Sequence, residues 1–159
     1  SDGQLLAFVA KTDVVLWDVA SRQKVRTFQG SERGLHALAT DPTGDYLAAG
    51  TGDHKILMWD MKTLQRRTFD MNAHASPLEY LVFSPDGRSL LSSDEHHTVK
   101  AWQATTGLFL CDLFHEPAVD IRFSVDQRRM VVLPVGKHTE VYDLMVAEPV
   151  TRREALPRK

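Results

Sequence analysis

The chain has few of the features that mark membrane or secreted proteins. Cys111 is the only cysteine, so no disulfide can form within the chain, which mildly favours a reducing compartment. No run approaches the roughly 18–20 apolar residues of a membrane span. The start, Ser1-Asp2-Gly3, does not resemble a signal peptide, although a processed N-terminus stays open. We therefore expect a cytoplasmic protein with no membrane partner.

A strong charge of either sign is also missing. The 159 residues carry a formal net charge of −2, whereas a nucleic-acid binder normally shows a basic face or stripe. The basic pairs Arg66-Arg67 and Arg128-Arg129 are scattered along the chain and are best interpreted as solvated surface. We expect no nucleic-acid partner.

Catalytic motifs are missing as well. His115-Glu116 has no second histidine four residues after His115, and Pro117 opposes the helix that a zinc protease needs. The glycine-rich segment from Gly50 to Lys55 lacks the Gly-Lys-Ser/Thr ending of a phosphate-binding loop. No Gly-x-Ser-x-Gly elbow occurs. The sequence predicts no catalytic residue and no cofactor, and so a protein that is not an enzyme.

A repeat is the strongest feature that the chain does contain. Four related triplets, Leu16-Trp17-Asp18, Met58-Trp59-Asp60, Ala101-Trp102-Gln103 and Val141-Tyr142-Asp143, recur at steps of 42, 43 and 40 residues. A fixed period of this size indicates one supersecondary unit copied in tandem, with each copy packed on its neighbour. The units are about 1–29, 30–71, 72–114 and 115–159, within one domain.

The third unit shows the plan of a repeat. Four short stretches are bounded by turn signals such as Ser84-Pro85-Asp86-Gly87. Connections this short allow only antiparallel neighbours. The sequence predicts an all-β chain of about four four-stranded antiparallel sheets. The predicted strands of the third unit are Leu78 to Phe83, Ser89 to Ser93, Thr98 to Gln103 and Leu108 to Phe114.

The chain resembles the WD-repeat β-propeller family. The resemblance rests on Trp17-Asp18, Trp59-Asp60 and Trp102 at the ends of third strands, on Phe83-Ser84-Pro85-Asp86-Gly87, and on His74 and His115 at the place of the family's Gly-His histidine. It implies sheets packed as propeller blades, and we expect about four blades that are part of a larger propeller. The structural residues that it implies are Trp17, Trp59, Trp102, Tyr142, Asp53, His74 and His115.

The resemblance also implies a network that holds the indole N–H through a Ser or Thr, the turn histidine and a turn aspartate. The aspartate expected six residues before the aromatic residue is Asp53 in the second unit only. Lys11, His96 and Gly136 stand at that place in the other units. We therefore predict that no unit forms the full network and that the blades rely more on apolar packing.

The strand count leaves the assembly open. The first unit begins at the turn between its first two strands, so strands b, c and d are present without strand a. The chain could be a segment of a longer propeller, could close as a four-bladed ring, or could associate with another copy or chain that completes the ring. Closure matters because it removes exposed sheet edges.

Six of the seven histidines fall in the turns between strands b and c or between strand d and the next strand a. A metal site is one interpretation, and structural or solvated turn residues are the other. Separate blades would hold most of these histidines too far apart to share one ion, whose ligands must lie within about 2.1 Å of it. We predict no metal site.

These turns nevertheless lie on one face of a propeller, as the resemblance implies, and loops on a rigid scaffold are where binding tends to occur. We expect a non-enzymatic scaffold that presents this face to protein or peptide partners within a complex. One alternative is a regulatory or docking segment of a larger multidomain enzyme of kinase or NTPase type. Another is a propeller enzyme with its active site in the central channel, which is disfavoured because the candidate innermost strands are mainly apolar. The candidate binding residues are Arg33, His54, Ser76, Glu95, His96, His97, Glu116, Lys137 and His138.

The strand register makes a testable prediction. Trp59→Ala should lower the free energy of unfolding by about 3–5 kcal/mol, because it empties a buried site. His97→Ala should cost under about 0.5 kcal/mol if His97 is a solvated turn residue. Chemical denaturation of both variants measures the difference, and equal effects would show that the register is wrong.

Overall fold

The computed structural model describes residues 4–69, 73–96, 98–114, 118–124, 129–134 and 140–143, and all regular elements in these ranges are β-strands. Most strands have five or six residues, as the spacing of turn signals requires. Their bounds are β1 (Leu5–Ala10), β2 (Asp13–Asp18), β3 (Gln23–Phe28), β4 (Leu35–Thr40), β5 (Tyr46–Thr51), β6 (Ile56–Asp60), β7 (Arg66–Phe69), β8 (Leu78–Phe83), β9 (Ser89–Asp94), β10 (Val99–Gln103), β11 (Phe109–Phe114), β12 (Ala118–Phe123), β13 (Arg129–Pro134) and β14 (Glu140–Asp143).

The strands form four separate sheets in chain order. The sheets are β1-β2-β3, β4-β5-β6-β7, β8-β9-β10-β11 and β12-β13-β14, and each neighbouring pair is antiparallel. The predicted all-β class and antiparallel pairing are confirmed. Because tight turns connect consecutive strands, each sheet is a simple up-and-down ribbon built from adjacent stretches of chain.

The turns between the first two strands of a sheet are held by their opening polar residue. Ser84 Oγ accepts a hydrogen bond from the Ser89 N–H at 2.9 Å, and Gly87 takes a φ of 70° within this turn. Asp41 has the same place in the second sheet, where its Oδ1 accepts from the Tyr46 N–H at 2.7 Å. Ser124 Oγ accepts from the Arg129 N–H at 2.9 Å in the fourth sheet. A short side chain with an acceptor oxygen therefore closes this turn in three sheets.

Each sheet buries one face against the next sheet along the chain. Three clusters of buried apolar side chains lie between consecutive sheets, and each draws residues from both. Between the first two sheets lie Val14, Leu16, Phe28, Leu35, Leu47, Ala49, Leu57 and Trp59. Between the second and third lie Ala37, Ala48, Ile56, Met58, Ala73, Leu78, Leu81, Phe83, Leu90, Trp102 and Ala104, and between the third and fourth lie Leu91, Val99, Ala101 and Met130.

The tryptophans of the second and third sheets pack toward the preceding sheet. Trp59 is 2% exposed and lies 5.6 Å, centroid to centroid, from Phe28 of the first sheet. Trp102 is 1% exposed within the cluster shared with the second sheet. Trp17 is only half-buried, because no described sheet lies on the side of the first sheet away from the second. The tryptophan side chain is thus fully buried only where a preceding sheet is present.

One glycine sets the spacing between the second and third sheets. A Cβ atom at Gly50 of β5 would lie 2.8 Å from the Leu78 Cβ of β8 and 3.4 Å from the Ala37 Cβ of β4. Contacts under 3.0 Å between such atoms require the backbone to shift. Glycine at this position therefore allows β8 to lie close against β5.

We predict that Gly50→Ala destabilises the protein by about 1–3 kcal/mol, since the added methyl group overpacks the contact with Leu78. The entropic gain of about 0.4–1 kcal/mol from replacing glycine in the unfolded chain works in the opposite direction. Urea denaturation measures the net change, with Thr40→Ala at an exposed position of β4 as the control. A Gly50→Ala protein as stable as the wild type would contradict this packing.

Candidate functional site

The turns that precede each first strand meet the turns between the second and third strands. In the second sheet the Gly52 N–H donates to the Gly34 carbonyl at 3.1 Å. In the third sheet the Glu95 N–H donates to the Pro77 carbonyl at 3.0 Å. We call this end of the sheets the d–a/b–c end, comprising residues 30–34 and 52–55 of the second unit and the described residues 73–77, 95, 96 and 98 of the third.

A charged network ties the two turns of the second unit. Ser31 Oγ donates to Asp53 Oδ1 at 2.7 Å, and Lys55 Nζ lies 2.6 Å from Asp53 Oδ2. Burial by itself would raise the pKa of Asp53, but hydrogen bonds from Lys55, Ser31 and Thr51 outweigh it and hold that pKa well below the ordinary value. Asp53 therefore stays ionised and joins residues from both turns.

The third unit holds a longer buried network. Trp102 Nε1 donates to Ser92 Oγ at 2.7 Å, and Ser92 Oγ lies 2.7 Å from His74 Nε2. His74 Nδ1 lies 3.3 Å from Asp94 Oδ2. Hydrogen bonds therefore join Trp102, Ser92 and His74, and Asp94 lies beside His74 without hydrogen-bond geometry. The sequence reasoning missed this aspartate because it lies eight residues before the tryptophan rather than six.

The protonation states of His74 and Asp94 follow from their burial and from the groups that contact them. Burial lowers the pKa of His74 below its ordinary 6.5, and the Asp94 carboxylate only partly opposes the shift. Burial tends to raise the pKa of Asp94, but the Thr98 N–H, His74 and Ser76 outweigh it and hold it below 3.8. We assign neutral His74 with its proton on Nδ1, so that Nε2 accepts from the Ser92 hydroxyl. The Nδ1 atom lies 3.3 Å from Asp94 Oδ2 without the geometry of a hydrogen bond.

The second unit does not repeat this arrangement. Ala49 pairs with the residue two before Trp59, as Ser92 pairs with the residue two before Trp102. Ser31 stands where the third unit has His74. The hydroxyl that receives the indole N–H is therefore absent from that strand position, and Trp59 is held mainly by the apolar cluster around it.

The structure places the candidate binding residues in different surroundings. Arg33, Glu95 and His96 are exposed at the d–a/b–c end, and half-buried His54 has a φ of 66°. Ser76 is only 5% exposed, and its Oγ lies 2.9 Å from His96 Nδ1, so its hydroxyl positions the histidine. The candidates His97, Glu116, Lys137 and His138 lie outside the described residues, as do His115 and the side chain of Tyr142.

Two exposed residues at the same end were missed by the sequence reasoning. His36 is skipped in the pairing of β4 with β5, since Leu35 pairs with Thr51 and Ala37 with Gly50. Glu79 is skipped in the same way between β8 and β9. Together with Leu35 they line an open cleft of about 430 Å³. The sequence signal that could have identified them was a polar second residue in otherwise apolar first strands.

The described residues show neither a metal cluster nor a membrane-spanning helix. Within the ranges that the structure describes, no three His, Cys, Asp or Glu side chains lie close enough to hold a metal ion. In that same part of the chain, no helix has the length and hydropathy needed to cross a membrane.

Comparison with known proteins agrees with the architecture. The family model of the WD domain, G-beta repeat, matches residues 22–60 and 65–103. Each match covers the last strand of one sheet and the first three strands of the next, from β3 to β6 and from β7 to β10. The chain belongs to the WD-repeat family.

Several curated proteins are similar over more than half of the chain. The target of rapamycin complex subunit wat1 of Schizosaccharomyces pombe is 32% identical over 104 residues, which are 64% of this chain and 32% of that protein. COMPASS component SWD1 of Saccharomyces cerevisiae is 28% identical, with 66% of this chain and 26% of that protein covered. Eukaryotic translation initiation factor 3 subunit I of Pyricularia oryzae is 30% identical, with 59% and 27% covered. The chain spans a third or less of the length of these relatives.

The His74 network predicts a pH dependence of stability. Because the pKa of His74 is lower in the folded than in the unfolded protein, the unfolded state binds more protons as the pH falls below about 6.5. The free energy of unfolding should therefore decrease between about pH 7 and pH 5.5. His74→Gln should lose this part of the slope, whereas the exposed control His36→Gln should retain it. Denaturation midpoints measured over this range check the prediction, and equal slopes for wild type and His74→Gln would refute it.

Proposed function

We propose that the protein is a non-enzymatic scaffold that presents the d–a/b–c end of its sheets to protein or peptide partners within a complex. The observation that carries the proposal is a set of exposed polar side chains on turns that are internally tied. Arg33 and Glu95 are exposed, while the backbone around them is fixed by the Gly52–Gly34 and Glu95–Pro77 hydrogen bonds. A rigid frame with exposed side chains lowers the entropic cost of binding.

The polar networks support the same proposal. Asp53, Ser31 and Lys55 satisfy one another, and His74 lies between Ser92 and Asp94. These titratable groups contact other residues of the chain and hold the turns together. The proposal that the chain has no enzymatic activity rests on this use of the polar groups.

The relatives support a role within an assembly. By their names, one is a subunit of a target of rapamycin complex, one a COMPASS component and one a subunit of an initiation factor. We propose by analogy that this chain also acts through protein partners, and we retain the cytoplasmic compartment as a prediction from cysteine usage.

A charge-reversal experiment tests whether protein partners bind at the d–a/b–c end. The variant Arg33→Glu/Glu95→Lys changes two exposed residues of the d–a/b–c end without changing net charge. The control Gln23→Lys/Arg88→Glu changes exposed residues near turns at the other end of the strands. Proteins captured by the full-length protein from cells would be quantified by mass spectrometry. We expect recovery to fall about tenfold or more for the first variant and to persist for the control.

Thermal melting would confirm that both variants are folded. Equal recovery with wild type, variant and control would contradict binding through this end. A set of specific proteins lost only with the control variant would assign the interaction to the opposite end.

A further inference from the structure

The first strands of three sheets share a β-bulge at their second residue. The bulge residues are His36 in β4, Glu79 in β8 and, by the pairing of β12 with β13, Val119. A bulge leaves one residue outside the ladder and re-aims its side chain, and bulges are frequent beside binding sites. Because β4 and β8 contact each other, the re-aimed side chains of His36 and Glu79 line one cleft that spans two sheets.

Two glycines make room for the His36 ring. A Cβ atom at Gly52 would lie 3.2 Å from His36 Nε2, and one at Gly34 would lie 3.5 Å from it. Gly52 cannot carry a side chain in this conformation, since its Cβ would lie 2.3 Å from the Arg33 carbonyl oxygen. The imidazole therefore rests against two backbone segments that are joined by the Gly52–Gly34 hydrogen bond.

The polar atoms that face the cleft are not used within the described part of the chain. The side chains of His36 and Glu79 are exposed, and neither forms a hydrogen bond or an ion pair with another described residue. Glu95 is a second exposed carboxylate on the adjoining turn of the third unit, held by its N–H to Pro77. On the third-unit side, the cleft is lined by the acidic side chain of Glu79.

We propose that this cleft receives a basic side chain, Lys or Arg, from an extended peptide segment of a protein partner. Glu79 supplies the carboxylate that pairs with the cation, and a charge-assisted hydrogen bond is about twice as strong as a neutral one. The His36 ring and Leu35 flank the aliphatic stem of the basic residue, which buries apolar surface while its head stays polar. The inference rests on the proposed scaffold function and names the partner chemistry at one point of that face.

Short synthetic peptides test the proposal on the full chain. Three Gly/Ser peptides would differ only in a central Arg, Lys or Leu, and their binding would be followed by backbone amide shifts. We expect saturable shifts at His36 and Glu79 with the Arg or Lys peptide and none with the Leu peptide. The interaction should weaken with added salt, because the cleft is open to solvent.

Matched variants distinguish a specific ion pair with Glu79 from a general effect of negative charge on peptide binding. Glu79→Gln should weaken binding of the basic peptides by roughly tenfold or more, since it removes the charged partner. Glu32→Gln, an exposed residue on the turn before β4, should leave binding unchanged. Equal affinity of wild type and Glu79→Gln, equal binding of the Leu peptide, or shifts confined to other strands would overturn the proposal.

The two proposals fail in different ways. If Glu79→Gln still captures the same cellular proteins at wild-type levels and the basic peptides do not bind, the cleft proposal is wrong while the scaffold proposal stands. If no protein is captured by the wild type, and Arg33→Glu/Glu95→Lys changes nothing, the scaffold proposal itself fails.

Discussion

The burial of each sheet against its neighbour is the interaction on which the rest of the structure depends. A ribbon of four short strands cannot bury both faces alone, so its apolar side chains are shared with the next ribbon. Trp59 and Trp102 each lie in the cluster that joins their sheet to the preceding one. Trp17 has the same position in its repeat but stays half-buried, which shows that the neighbour, and not the residue type, determines its burial.

Polar networks then fix one end of these packed sheets. In the third unit the chain from Trp102 through Ser92 and His74 to Asp94 links the outer part of the sheet to both of its turns. In the second unit Asp53 joins Ser31 and Lys55, which ties the two turns without including the tryptophan. The two units therefore tie their turns with different residues.

The β-bulges at His36 and Glu79 lie near this fixed end of the sheets. Because β4 lies against β8, the two re-aimed side chains, both exposed, line one open cleft. Gly34 and Gly52 leave space for His36, and the carboxylate of Glu79 faces the same opening. Packing between sheets, turn hydrogen bonds and strand irregularity therefore act together to shape one polar cleft.

The sequence by itself determined the all-β class, the antiparallel pairing and, to within one residue, the strand bounds of the third unit, because these depend on local turn chemistry and on a repeat that can be counted. The strand Leu78–Phe83 was predicted with the bounds that the structure has. Tertiary structure alone decided that Asp94 lies beside His74, since a through-space contact need not keep a family's spacing. It also decided that His36 and Glu79 line one cleft, because bulges and the approach of separate sheets leave no periodic signal along the chain.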